Sequence, residues 1–144
     1  MIQQAHKSNE IAAQAFSLIK ECGLRPSPQR IAVAAYVLCY RTHPTADEIF
    51  TGLKEQYPSL SRTTVYNTLH SLVSSKGIME VNVEPGIARF DGYTEPHAHF
   101  RCQMCNMIYD IDLIEMSFPE EFDISGVQVN LTGCCPQCRV NPKP

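Results

Sequence analysis

Two C-x-x-C pairs constrain the fold of this 144-residue chain more than any other feature. They are Cys102 with Cys105 and Cys135 with Cys138, and twenty-nine residues separate the pairs. Two thiolates on each of two tight turns form the donor set of a closed, tetrahedral zinc site. Such a site joins the two turns and stabilises a domain that is too small to hold itself together. We therefore predict a structural Zn(II) ion bound by these four cysteines.

Other interpretations of the cysteines remain open. The four cysteines could be core residues that bind no metal, but their regular spacing disfavours this interpretation. Either C-x-x-C could instead be a redox motif, but we find neither a βαβ frame nor a helix start after either pair. Cys134 is spaced C-x-x-x-C from Cys138 and could replace Cys135 as a ligand, or it could be buried. Cys22 and Cys39 lie on apolar helix faces and are predicted to be core residues.

The cysteine count and the N-terminus bear on the compartment. Seven cysteines, an odd number, argue against full disulfide pairing. The segment M-I-Q-Q-A-H-K-S-N-E lacks the layout of a signal peptide, and no apolar run is long enough to cross a bilayer. We therefore expect a cytoplasmic protein without a membrane partner, in which cysteines serve metal or redox chemistry.

The charge distribution divides the chain into two parts. Residues 1–83 carry eight Lys/Arg and six Asp/Glu, whereas residues 84–144 carry four and nine, so the net charge of −3 arises in the second part. The acidic part fits cation binding. The mildly basic part permits contact with phosphate without proving it.

Four amphipathic helices and a hairpin are predicted in the first part. The helices cover residues 9–22, 28–39, 45–57 and 61–73. Their N-caps are assigned, in order, to Ser8 or Asn9, Ser27, Thr45 and Ser61. Strands follow at residues 78–83 and 88–91. This order is typical of a winged helix-turn-helix, whose fourth helix enters the major groove.

The fourth helix carries the predicted DNA contacts. The residues outside its apolar stripe are polar and can face DNA, and the N-terminus of the helix can bind a DNA phosphate. The alternative is an ordinary solvated helix face. The predicted DNA-binding residues are Ser61, Arg62, Thr64, Tyr66 and Asn67.

From about residue 93 the pattern changes to strands. Residues 97–102 and 107–113 alternate as strands around the first cysteine pair, and residues 126–132 form a final strand. Residues 116–122 are compatible with a short helix. We place a domain boundary within about residues 84–94.

An H-x-H pair predicts a second metal site. His97 and His99 face the same way on a strand, because successive side chains alternate between its faces. A single histidine would more simply be a polar residue whose hydrogen bonds are made within the protein. Here, however, Asp91 and Asp110 flank the pair, and His43 lies in the break between the second and third helices. Three imidazoles and two carboxylates suit Fe(II), Mn(II) or Zn(II). On an octahedral ion they leave one position at which a peroxide could bind a redox metal.

The chain resembles the ferric uptake regulator family through L-R-P-S-P-Q-R, H-P-T-A-D-E-I-F, S-R-T-T-V-Y-N-T-L, R-F-D, H-A-H-F-R-C-x-x-C, I-Y-D and the final C-x-x-C. The resemblance covers nearly the whole chain. It implies a dimer of winged-helix domains joined to an α+β dimerisation domain, which represses transcription when metal is bound. We place the DNA-binding domain at residues 1–84, a hinge that carries Asp91 at residues 85–92, and the metal-binding dimerisation domain at residues 93–144.

Within the family the chain is most similar to the peroxide regulators. The resemblance implies a regulatory site formed by His43, Asp91, His97, His99 and Asp110. Iron-sensing members usually carry Glu in place of Asp110. The final hairpin is short and lacks the usual H-x-L-E, which puts in question a second regulatory site and the strand that forms the dimer.

The sequence therefore predicts an α+β protein that is not an enzyme. We expect a metal-dependent repressor that binds double-stranded operator DNA as a homodimer and senses peroxide through Fe(II) or Mn(II). An iron, manganese or zinc uptake regulator of the same family is the alternative. A catalytic metal centre lacks a second acid/base group, and a zinc-ribbon interaction module leaves His43 and the H-x-H pair unexplained.

Overall fold

The chain divides into two compact units, Met1–Thr94 and Glu95–Pro144. The structure, a computed structural model, describes residues 2–112 and 115–140, with side chains described from Asn9 onward. Within these ranges, no helix combines the length and the apolar character that a membrane span requires.

The first unit contains four helices and a hairpin. They are α1 (Ile2–Glu21), α2 (Pro28–Cys39), α3 (Ala46–Lys54), α4 (Arg62–Ser74), β1 (Met79–Glu84) and β2 (Ile87–Asp91). The two strands pair antiparallel, with Met79 opposite Asp91. The element order agrees with the winged-helix prediction. The first helix begins earlier than predicted, at Ile2, so Ser8 and Asn9 lie inside it and the prediction that one of them caps it was wrong.

Local signals set the ends of these helices. Thr45 and Glu48 form the predicted capping box, in which the Glu48 N–H donates to Thr45 Oγ1 at 3.1 Å and the Thr45 N–H donates to Glu48 Oε2 at 2.7 Å. Ser61 caps α4 by accepting the Thr64 N–H at 3.0 Å. Gly23 ends α1 with a φ of 71°, a left-handed conformation that glycine adopts without strain.

One apolar core holds the first unit together. It combines one face of each helix with the open end of the hairpin, and it includes Ile19, Val33, Val37, Ile49, Val65, Leu69, Leu72, Ile78 and Phe90. Each such side chain contributes about 1.5–3 kcal/mol when it leaves water. Cys22 packs against this core as predicted, whereas Cys39 is exposed at the end of α2, where the helix turns its last residue to solvent.

The second unit is built on a three-stranded sheet. Its elements are β3 (His97–Cys102), β4 (Ile108–Asp112), β5 (Val129–Gly133) and α5 (Pro136–Val140). The central strand β3 pairs antiparallel with β4 and parallel with β5. The first C-x-x-C pair begins at the last residue of β3, and the second lies just after β5, so the parallel pairing brings both pairs to the same end of the sheet.

Two predictions for this unit were wrong. Residues 116–122 form no helix; they end in a single turn, where the Phe122 N–H donates to the Pro119 carbonyl at 3.3 Å. A proline disfavours helical geometry in the residue before it, so Phe118 is held out of a helix. Conversely, α5 begins at Pro136, inside the second cysteine pair, although no helix start is evident there from the sequence.

Candidate metal centres and nucleic-acid interface

The four paired cysteines converge on one point of the second unit. The sulfur atoms of Cys102, Cys105, Cys135 and Cys138 all lie within 4.8 Å of one another. The Cys105 and Cys135 sulfurs are 3.9 Å apart. A tetrahedral ion with Zn–S bonds of about 2.3 Å would hold its sulfurs about 3.8 Å apart. The donor type, number and spacing of the cluster therefore fit a structural zinc ion.

Backbone N–H groups favour the thiolate form in this cluster. The Cys135 N–H donates to the Cys102 sulfur at 3.3 Å, and this hydrogen bond is the main cause that lowers the pKa of Cys102 to about 6. The Cys138 N–H, 3.5 Å from the Cys135 sulfur, likewise lowers the pKa of Cys135. A hydrogen bond to Cys135 raises the pKa of Cys138 to about 12. Because the thiolate is the form that ligates metal, a bound cation would have to displace the Cys138 proton.

Cys134 lies outside the cluster. Its thiol is exposed, and its sulfur lies 3.7 Å from the Cys135 carbonyl oxygen. Partial desolvation by neighbouring groups, and then the charges of Cys102 and Cys135, raise the pKa of Cys134, which favours the protonated thiol. Of the two neighbouring cysteines, Cys135 is thus the one whose sulfur joins the group. The convergence of four sulfurs also favours metal binding over a redox pair, even though α5 begins at the second pair.

The H-x-H pair forms a second group of donors in this unit. His97 and His99 lie on β3 with their side chains on one face, and their Nε2 atoms are 2.9 Å apart. Asp110 lies opposite His99 on β4 and places its Oδ1 3.6 Å from His97 Nε2 and 3.9 Å from His99 Nε2. The antiparallel register thus joins two motifs that are ten residues or more apart in the chain. Both histidines are buried.

The surroundings of His97 orient its ring for metal binding. Its Nδ1 lies 2.7 Å from the Glu95 carbonyl oxygen, which can only accept a hydrogen bond. The Nδ1 therefore carries the proton, and the Nε2 lone pair points toward His99. A backbone carbonyl that holds the second nitrogen of a histidine in this way is the usual support of a metal ligand.

His43 and Asp91 form a third group of donors, in the first unit. The Nε2 of His43 lies 3.5 Å from the Asp91 Oδ2, and both side chains are buried. The other oxygen of Asp91 accepts the Tyr93 N–H at 2.8 Å, which fixes the carboxylate. The Phe90 N–H donates to the Pro44 carbonyl at 3.0 Å, and Thr45 forms an isolated bridge with Arg89. These bonds join the H-P-T and R-F-D motifs.

The structure thus brings the predicted regulatory residues together within each unit. His43 pairs with Asp91, and His97 and His99 gather with Asp110. Each group combines buried imidazole with carboxylate, a donor set that suits Fe(II), Mn(II) or Zn(II). Buried polar groups of this kind cost free energy unless they are paired or coordinate an ion.

The polar face of α4 matches its prediction in part. Tyr66 and Asn67 are exposed, while Thr64 is half-buried and shares a 2.8 Å hydrogen bond with the Ser61 hydroxyl. Thr63 and His70 fall on the same exposed stripe as Asn67 at helical spacing. The predicted set of DNA-binding residues omitted these two, although their helical spacing from Asn67 is evident in the sequence.

Arg62 is held by α3. Its guanidinium forms an ion pair with Asp47, and its Cζ lies 4.7 Å from the centre of the Phe50 ring. Asp47 stands in the first turn of α3 and Arg62 in the first turn of α4. Asp47 therefore competes with a phosphate for this guanidinium.

Comparison with known proteins identifies relatives along most of the chain. The model of the ferric uptake regulator family matches residues 21–131. The peroxide-responsive repressor PerR of Staphylococcus aureus is 29% identical over an alignment of 133 residues, and the alignment covers 88% of this chain and 90% of that protein.

Solved structures share the fold. The ferric uptake regulator Fur of Helicobacter pylori, described with three functional metal-binding sites, has a TM-score of 0.69 at 20% identity and covers 94% of this chain and 96% of its own. The ferric uptake regulator of Francisella tularensis with iron has a TM-score of 0.61 at 20% identity and covers 81% and 96%.

Proposed function

This chain belongs to the ferric uptake regulator family, and from that membership we propose that it is a metal-dependent transcriptional repressor that senses peroxide. It acts in the cytoplasm as a homodimer on double-stranded operator DNA. Zn(II) is the structural metal, and Fe(II) or Mn(II) is the regulatory metal. The observation that supports this proposal is the proximity of imidazole and carboxylate in two groups, the buried pair His43 and Asp91, and the buried His97 and His99 with the partly exposed Asp110.

We propose that one regulatory cation takes ligands from both groups. The first unit supplies His43 and Asp91, and the second supplies His97, His99 and Asp110. Residues 85–92 serve as the hinge between the DNA-binding and dimerisation domains. Coordination would fix the angle between the domains and so the spacing of two α4 helices in the dimer, which DNA half-sites must match. Metal affinity and DNA affinity are then thermodynamically coupled.

Exposed apolar side chains in the second unit support the homodimer. Soluble monomers rarely carry large apolar patches, and such patches mark surfaces for association. The strand order leaves β5 at one edge of the sheet, where a further strand could pair. The exposed large apolar residues of this unit include Met104, Met107, Ile111, Met116, Phe118, Phe122, Ile124, Val127 and Leu131.

Peroxide sensing would act on the imidazole ligands. Bound Fe(II) would supply the redox chemistry that cleaves the peroxide O–O bond. In the net change one peroxide oxygen adds to a ring carbon of His43 or His97, and the other oxygen leaves as water. An oxidised ring is a poorer ligand, so the regulatory metal is released and repression ends.

Peroxide treatment of the Fe(II)-loaded protein is expected to add one oxygen to a peptide that contains His43 or His97. Peptide mass spectrometry measures the adduct, and a gel shift on operator DNA measures the loss of binding in the same sample. The Zn(II)-loaded protein is the control, because Zn(II) has no redox chemistry and should show neither change.

Two other outcomes of this experiment point elsewhere. DNA release without an adduct on either histidine would indicate oxidation of the thiolates instead. Operator binding that depends on iron but is unchanged by peroxide would support the alternative, an iron, manganese or zinc uptake regulator.

We propose that Ser61, Arg62, Thr64, Tyr66 and Asn67 contact DNA. Arg62→Gln is expected to weaken operator binding and to reduce the slope of log K against log salt by about 0.9, the value for one lost phosphate contact. Asp47→Asn removes the ion-pair partner of Arg62 and should strengthen operator binding. Fluorescence anisotropy at several salt concentrations measures both effects. Lys20→Gln, which removes another exposed cation stacked on a phenylalanine, is the matched control.

A further inference from the structure

The geometry points to Arg89 as a positioning residue for the regulatory metal. We infer that its guanidinium holds the main chain of His43 in the conformation that presents the imidazole beside Asp91. This role rests on the proposed function, because it concerns the same regulatory site. Nothing in the donor chemistry of the site requires an arginine, which cannot itself ligate a cation.

Arg89 is tied to the turn that carries His43. It lies on β2, and its side chain is largely buried at 16% exposure. Its Nη1 donates to the His43 carbonyl oxygen at 3.0 Å, across forty-six positions of the chain. Two carboxylates hold the guanidinium in place, Glu84 at 3.2 Å from Nε and Glu48 at 3.4 Å from Nη1. The planar fork of arginine allows these contacts at once, which a lysine could not reproduce.

His43 needs external support for its conformation. Its φ of 51° places it in the left-handed region, which is costly for a residue with a side chain. Pro44 follows it and restricts its backbone further. A strained residue of this kind persists only where its surroundings over-determine it. The Arg89 bond to the His43 carbonyl and the Phe90 bond to the Pro44 carbonyl are two observed constraints on this turn.

The charge of Arg89 and its positioning role predict opposite changes in metal affinity when Arg89 is replaced by a neutral residue. A guanidinium near the site repels a dication, so electrostatics alone predicts that a neutral residue at this position raises metal affinity. If Arg89 instead acts by holding His43, its loss lowers metal affinity. Supporting residues around metal ligands typically change affinity about 10- to 100-fold when they are mutated. The sign of the change therefore separates the two effects.

The test is a titration of Mn(II) into the zinc-loaded 144-residue chain, with free Mn(II) followed by electron paramagnetic resonance. Arg89→Gln is expected to lower Mn(II) affinity about tenfold or more, while zinc content stays the same. Arg89→Lys keeps the positive charge and is also expected to lower Mn(II) affinity. With two variants, the result does not depend on the folding of either one alone. Arg30→Gln is the matched control, because Arg30 also donates to a main-chain carbonyl of the first unit, that of Arg25 at 2.8 Å.

A double-mutant cycle with His43→Asn decides between positioning and general destabilisation. Without the imidazole there is nothing to position, so adding Arg89→Gln to His43→Asn should leave Mn(II) affinity unchanged, or raise it through the loss of the positive charge. An equal loss in both backgrounds, or an unchanged or raised affinity of Arg89→Gln alone, would overturn the inference. If His43→Asn itself leaves Mn(II) affinity at the wild-type value, it is the proposed regulatory site that fails.

Discussion

Replacing Cys102 with serine is expected to eliminate zinc binding and to unfold the second unit. Cys102 is buried, and its sulfur accepts the Cys135 N–H within the four-cysteine group. A serine hydroxyl cannot supply the thiolate that a structural zinc site requires. The described part of this unit has a three-stranded sheet and a short helix, so the cluster adds to the pairing of β5 with β3 in joining β5 and α5 to the rest. Structural zinc contributes on the order of 10 kcal/mol to folding in small domains.

Zinc content by native mass spectrometry and thermal unfolding by circular dichroism measure this effect. Cys134→Ser is the matched control, since Cys134 is adjacent to the cluster but exposed and outside it. It is expected to keep its zinc and its stability. The opposite pattern, in which Cys134→Ser loses zinc and Cys102→Ser keeps it, would show that the assigned ligand set is incorrect.

Replacing His43 with asparagine is expected to eliminate the dependence of operator binding on metal. Asparagine tolerates the left-handed conformation that His43 adopts, so the variant removes the imidazole with little added backbone strain. The proposed ligands His97, His99 and Asp110 would remain and could still bind a cation. That cation would have no imidazole ligand in the DNA-binding domain.

Operator affinity with and without Mn(II), measured by fluorescence anisotropy, tests this prediction. A coupled protein typically gains about 5- to 150-fold in affinity on binding its effector, and this gain should fall to about onefold in the variant. Cys39→Ser is the control, because it removes another potential ligand four residues earlier, exposed at the end of α2. If His43→Asn kept the wild-type gain, metal binding could not regulate DNA binding through this histidine.

The sequence by itself determined the elements whose ends depend on nearby residues. Ser27, Thr45 and Ser61 accept N–H groups three positions further along, so their caps were readable without the fold. The pairing of each C-x-x-C and the common face of His97 and His99 are equally local, because turn spacing and strand alternation set them. The same reasoning failed for residues 116–122 and for α5, where the pattern is too short to decide between a turn and a helix.

Only the tertiary structure decided which distant residues meet. The parallel pairing of β5 with β3 brings the two cysteine pairs together, and the register of β3 with β4 sets Asp110 opposite His99. The contacts of Arg89 with His43 and of Arg62 with Asp47 cross between separate elements. Such contacts form only when whole elements pack against one another and the chain has closed long loops. A local sequence pattern therefore does not predict them.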